Sequence, residues 1–222
     1  MALPSMRINF FTFSEEVRNK ILYESVKDYS LDLVVIIGYN CLIAKIKNKN
    51  KYMPANGIKN LLEHKKEAKA EMCRELSLSK TKPLVGIFLD KEPGNLQMIL
   101  EGMTAVDCEV VILTDMDFDD KRVLSYSREN RSKLMSAADI ALIFDFTDVE
   151  ELLLNGVVPV SPARAEVEDY NPNKETGNSF VYKNKSAWGV FAALVRAIET
   201  FKFPYDWKHI VRQAVESVKE LA

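Results

Sequence analysis

The chain has 222 residues, 47% of them hydrophobic, with only 8 Gly and 8 Pro, a balance that supports a packed core and excludes disorder as the dominant state. With 30 Lys and Arg against 32 Asp and Glu, the whole protein has no electrostatic reason to seek nucleic acid or an anionic membrane. The 3 cysteines (Cys41, Cys73, Cys108), more than thirty residues apart, and the 2 histidines (His64, His209) show no CxxC, His-x-x-x-His or similar ligand spacing, so neither a disulfide framework nor a metal site is expected. The N-terminus lacks a signal-peptide core, and no apolar run approaches the roughly 18 residues of a membrane span. The expected address is reducing and cytoplasmic.

Taken in chain order, 8–13 is strand-like, 15–29 helix-like, and 31–37 (LDLVVII) a short aliphatic run. The stretch 45–52 (KIKNKNKY) reads as a linker or exposed hairpin, dividing an N-terminal segment and hinge-like region (1–50) from a main domain (51–222). A helix is expected over 58–76, with Ile58, Leu61, Leu62, Ala68, Met72 and Leu76 as its apolar set. Its Glu63, Lys66, Glu67, Lys69 and Glu71 are read as solvated pairs. A strand at 84–89 (LVGIFL) leads through a Gly94-Asn95 break to a helix over 96–106, with Asn95 as its cap. Further strands are expected at 109–114 (EVVILT), 139–144 (DIALIF) and 157–161 (VVPVS). The nearly apolar 187–201 reads as a buried helix. Trp207, Ile210, Val211, Ala214, Val215, Val218 and Leu221 then mark an amphipathic one, begun by Pro204 and Asp206.

Continuous rather than alternating apolar runs suit strands covered on both faces. Alternated with helices, they imply an α/β, doubly wound, mostly parallel Rossmann-like sheet. Charge is uneven: 45–82 holds 11 basic and 4 acidic residues, whereas 107–169 holds 15 acidic and 6 basic. Solvated faces account for this, or else a basic surface for an anionic partner.

From about residue 39 onward, the order of phrases resembles the C-terminal half of glycogen and starch synthases, retaining glucosyltransferases of the GT-B fold. Residues 39–58 (YNCLIAKIKNKNKYMPANGI) resemble the family's hinge region, and Asn56, Gly57 and Ile58 match its Asn-Gly-Ile-Asp ending, with Lys59 in place of the Asp. Residues 69–78 (KAEMCRELSL) resemble the helix before the first strand of that domain, and 83–94 (PLVGIFLDKEPG) the strand and glycine-rich turn. Residues 136–140 (SAADI), 156–160 (GVVPV) and 176–182 (TGNSFVY) resemble three later phrases in the correct order. The resemblance implies a single GT-B C-terminal-type domain with a short N-terminal extension.

The same comparison exposes departures. Neutralising a nucleotide-diphosphate leaving group calls for fixed cations and glycine turns that let backbone N–H groups approach. In the family an Arg and a Lys of the glycine-rich turn do this; here those positions fall on Asp90 or Phe88 and on Pro93. The family's acidic sugar-binding loop is about five residues shorter, since Asp145, Phe146, Thr147 and Asp148 run directly into 150–155. After Val160, the sequence SPARA (161–165) lacks the glycines of the family's Thr-Gly-Gly-Leu turn. About 40 residues precede the hinge-like region, where an acceptor-side GT-B domain needs roughly two hundred. A closed, water-excluding cleft is not expected of this chain alone.

No other catalytic motif is legible, whether nucleophile elbow, phosphate loop or dinucleotide fingerprint. His64 and His209 read as exposed or structural, and the cysteines as small buried apolar residues. In open parallel sheets ligands settle outside the carboxyl ends of the strands. This singles out Asp90, Lys91, Thr114, Asp115, Asp145, Thr147, Ser161 and Arg164 as crevice candidates, with helix capping as the alternative use of the Asp and Thr residues. No catalytic residue, metal ligand or cofactor is expected.

The expected function is a catalytically degenerate synthase-like domain acting as a binding or scaffolding module. Its partners would be a protein or another copy, with a glucan or nucleotide sugar as the ligand class. Two alternatives stay open. One is half of a split nucleotide-sugar-dependent glucosyltransferase, docked to its partner through the basic segment around 45–69. The other is a self-associating structural protein using Trp188, Phe201, Phe203, Tyr205 and Trp207.

Overall fold

The computed structural model describes residues 57–116, 118, 120–144 and 148–220, together with the backbone of 36–37 and 40–41. The chain divides into two units, Met1–Lys51 and Tyr52–Ala222. In the first, β1 (Ile36–Ile37) and β2 (Asn40–Cys41) form an antiparallel ribbon, Ile36 opposite Cys41. The strand-like 8–13, the helix-like 15–29 and the linker at 45–52 lie outside the described residues.

The second unit runs α1 (Ile58–Leu76), β3 (Leu84–Leu89), α2 (Leu96–Met103), β4 (Glu109–Thr114), β5 (Val123–Ser125), α3 (Arg128–Ala137) and β6 (Ile140–Leu142). It continues through α4 (Val149–Leu154), β7 (Val158–Pro162), β8 (Phe180–Tyr182), α5 (Ala187–Phe201) and α6 (Pro204–Glu220). The strands form one sheet in the order β5-β4-β3-β6-β7-β8, and every pair is parallel. This is the doubly wound arrangement: strand order reverses between β3 and β6, and the crossovers change faces there.

The two faces follow from the period of two along each strand. Val85, Ile87 and Leu89 of β3, with Ile112, Ile140, Leu142, Val158 and Val160, face α2 and α5. Leu84, Val111, Leu113, Ala141 and Ile143 face the opposite way, onto Leu134 and Met135 of α3 and Leu152 and Leu153 of α4. Gly86 sits on the second face, where an added Cβ would lie 3.2 Å from Ala138 Cβ and 3.3 Å from Leu134 Cγ. Its missing side chain lets α3 approach β3 closely.

The three longest helices match their sequence reading, but the burial of two departs from it. In α1 the buried positions are Leu61, Lys65, Lys69, Met72 and Cys73, so two lysines occupy the apolar stripe and Lys69 is not a solvated pair. Lys69 Nζ donates to Asp139 Oδ2 and to the Lys82 carbonyl, both at 2.6 Å. Asp139 Oδ2 also accepts the Leu84 amide at 2.8 Å. Lys65 Nζ donates to the Ala138 carbonyl at 2.6 Å. In α5 burial is one-sided, because Trp188 is 76% exposed. Helix α2 stops at Met103, three residues early, and Asn95 makes no side-chain cap; its Nδ2 instead donates to the Lys185 carbonyl at 2.9 Å. Strands β5 and β8 and helix α3 add to the elements read from the sequence. Among the described residues, no helix is long and apolar enough to cross a membrane.

Two outcomes follow for the lysines. Replacing Lys69 with Met leaves the half-buried Asp139 carboxylate with only the Leu84 amide and is expected to cost about 3 kcal/mol, the low end for breaking such a pair, measured by urea unfolding. Burial pulls the Lys65 ammonium down to about 8, against the pull of Asp139 and with that of Lys69. Between that value and its unfolded value near 10.5 the unfolded chain binds the extra proton, so this group makes stability rise with pH across that window. Relative to Lys65→Met, the wild-type protein should therefore gain unfolding free energy from pH 7 to pH 10.5; a constant difference between the two would refute the assignment.

Candidate functional site

The crevice of a doubly wound sheet lies at the carboxyl ends of the strands beside the reversal, here β3 and β6. Leu89 pairs with Thr114 in register, so Asp90 and Asp115 are the first residues past the ends of β3 and β4. Both are exposed, as are Lys91, Glu92 and Gly94 of the turn that follows β3. An added Cβ at Gly94 would meet nothing within 4 Å, so packing does not require glycine there. The turn closes by a 2.9 Å bond from the Leu96 amide to the Pro93 carbonyl, and the Asn95 amide ties it to the loop before α5.

The hydroxyl candidates are occupied by the fold. Thr114 is buried, and its Oγ1 accepts the Met116 amide at 3.1 Å. Ser161 is wholly buried, and its Oγ donates to the Pro162 carbonyl at 3.0 Å. Asp115 Oδ1 accepts the Tyr126 amide at 3.2 Å, which joins the β4 loop to the end of β5. Arg164 is half-buried beyond β7. Asp145 and Thr147 lie outside the described residues. Capping falls to others: Ser127 accepts the Asn130 amide, Asp148 the Glu151 amide and Ser186 the Gly189 amide.

Tyr182, at the end of β8, was not among the sequence candidates. Its hydroxyl donates to the Ile143 carbonyl at 2.6 Å, in a buried bond that spans β7 and satisfies the main chain just past β6. The phrase containing Tyr182 was legible, whereas its reach across a neighbouring strand was not. For Lys65 and Lys69 a signal did exist: with Leu61 they repeat at i, i+4 and i+8 along the apolar stripe.

Among the described residues, neither thiol is activated. Cys73 is buried and burial raises its thiol; Cys108 is pushed up to about 11 by burial and then by Glu109. Side chains with such values stay protonated at neutral pH. His64 is exposed, while His209 Nε2 lies 2.7 Å from the Glu175 carbonyl and so acts there as a donor. Among the described residues no group of three or more His, Cys, Asp or Glu could hold a metal ion. Of the aromatics, Trp188, Phe203 and Tyr205 are exposed, whereas Trp207 is buried edge-on against Phe201. A separate shallow groove of about 160 Å³ lies between α1 and α3, with Ala68 and Met72 between Glu71, Glu75 and Lys133, well away from the strand ends.

Removing the Tyr182 hydroxyl in Tyr182→Phe leaves a buried carbonyl short of a partner and is expected to cost about 1–3 kcal/mol, read from the urea midpoint. Gly94→Ala should leave that midpoint unchanged.

No family model matches the sequence, and no curated protein matches it. Among solved structures the chain is similar to the catalytic domain of starch synthase IV from Arabidopsis thaliana, solved bound to ADP and acarbose, at 17% identity and a TM-score of 0.57. The match covers 75% of this chain and 43% of that one, so the chain spans less than half the length of the protein it resembles. The fold is that of a starch-synthase-like GT-B domain of the Rossmann type.

Proposed function

We propose that this protein is a non-catalytic relative of the glycogen and starch synthase C-terminal domain, cytoplasmic, and kept as a binding or scaffolding module. One observation carries the reading. Where a diphosphate would need fixed cations and open glycine turns, the turn after β3 reads Asp90, Lys91, Glu92 and Pro93, its acids outnumbering its one cation, and Asp115 past the end of β4 is bonded to the Tyr126 amide. A turn with an excess of acids opposes a further negative charge, and the hydroxyls of Thr114 and Ser161 are committed to the main chain. Synthase-like fold and donor chemistry are thus separable properties of this chain.

The alternative, a split glucosyltransferase completed by a partner chain, loses part of its support. It draws on an exposed basic segment reaching Lys69, yet Lys65 and Lys69 are both buried and hydrogen-bonded. A docked partner would also have to supply the missing cations.

Calorimetric titration with ADP-glucose and with UDP-glucose is the direct test. No saturable heat at micromolar ligand, and no glucose incorporation into glycogen, is the expected result. Saturable binding of either donor would end the non-catalytic reading. Activity restored only by a second chain would favour the split enzyme.

A further inference from the structure

The chain turns from α4 into β7 through an Asn-Gly pair, Asn155 and Gly156. Both residues are held by the fold. Gly156 takes a φ of +64°, and an added Cβ there would lie 3.0 Å from Leu61 Cδ2 of α1 and 3.1 Å from Val211 Cγ1 of α6. Asn155 closes the helix with its side chain, Nδ2 donating to the Glu151 carbonyl at 2.8 Å. Turn and packing thus keep together an asparagine and a residue with no side chain to shield its amide nitrogen.

The reaction open to such a pair is loss of ammonia, the lability that makes asparagine a heat-sensitive residue. The Gly156 nitrogen bonds to Asn155 Cγ, the Cγ–Nδ2 bond breaks, and Nδ2 leaves as ammonia with the proton that the Gly156 nitrogen gives up. A succinimide ring remains. Water then adds at either ring carbonyl and opens it to Asp or to isoAsp, so the net exchange is one water for one ammonia.

The folded turn blocks each requirement. The Gly156 N–H is donated to the Leu153 carbonyl at 2.9 Å, and the departing Nδ2 is bound to Glu151. Ring closure also needs the Gly156 nitrogen on the Cβ side of Asn155, whereas a ψ of 4° eclipses it with the nitrogen of Asn155 itself. The Val157 amide holds the far side of the turn by donating to the Leu152 carbonyl at 3.0 Å. All of these bonds end on carbonyls of α4, so the step that admits the chemistry is the opening of its last turn.

We propose that Asn155-Gly156 is a deamidation site gated by the last turn of α4, silent while the turn is closed and reactive when it opens. The product cannot re-form the turn. Either form of the residue sets a carboxylate, with no side-chain N–H to give, against the Glu151 carbonyl at the negative end of the helix. The isoAsp form also lengthens the main chain by one carbon, just before a glycine closely surrounded by Leu61 and Val211. Conversion therefore makes a transient opening of α4 permanent, whether or not a sugar nucleotide binds at the strand ends.

The test is to age the full chain at neutral pH, folded and in guanidinium, and to follow Asn, Asp and isoAsp at position 155 by peptide mass spectrometry. Mapping by residue keeps the second Asn-Gly of the sequence, Asn56-Gly57, apart. Conversion at 155 is expected to be at least tenfold slower in the folded chain. Asp148→Ala, which removes the carboxylate that accepts the Glu151 amide at the start of α4, should speed the folded rate at least threefold. If circular dichroism shows that variant unfolded, the same acceleration is read on the wild type in urea below its transition. Asn155→Asp, which reproduces one product, should lower the urea midpoint. Equal rates folded and unfolded, no conversion at 155 in guanidinium, a folded rate that loosening α4 leaves unchanged, or an unaltered Asn155→Asp midpoint would each overturn the proposal.

Discussion

Asp139 is the point at which helix and sheet are locked together. One carboxylate oxygen takes the Lys69 ammonium of α1 and the Leu84 amide that opens β3, and the next residue, Ile140, opens β6. The two strands flanking the reversal of strand order are thereby tied to one helix at their amino ends. Lys65 adds a bond to the carbonyl of Ala138, the residue just before Asp139. Burying these charges is tolerable only because each has fixed partners. A bridge of this kind specifies register, since a slip of one residue would separate Asp139 from both donors.

From that lock the opposite ends of the strands inherit their positions. Leu89 comes level with Thr114, so Asp90 and Asp115 follow the ends of paired strands, and Tyr182 crosses β7 to hold the backbone past β6. The edge is thus well organised mechanically while being acidic chemically. Packing fixes the fold, while the charges at the strand ends are set by residues that packing does not constrain. On the flank, β4 and β5 pair in register, and Met116 and Phe118 of the short connection between them pack on the core.

Much of this architecture was legible because burial imposes periodicity. The aliphatic runs at 84–89 and 109–114 become strands with those bounds, and α1, α5 and α6 begin and end close to their sequence limits. Short elements were less legible: β5 and β8 have three residues each, too few for a pattern to stand out from a loop. Lys65 and Lys69 were readable as lysines on the apolar stripe, but hydropathy alone assigns a lysine to solvent. Only the nearness of Ala138, Asp139 and Lys82 reverses that assignment. Asn95 is a parallel case, since a residue with strong capping preference was drawn away by a carbonyl 90 positions later.

By itself, the sequence determined the class of fold, the run of its main helices and strands, and the excess of acids over cations in the turn after β3. Those properties are local, written in the spacing of apolar residues and in the side chains that occupy single positions. Tertiary structure alone decided that two lysines are buried and that a tyrosine spans a strand. Each of these depends on residues far apart in the chain being brought within a few ångströms, and no local pattern encodes that distance.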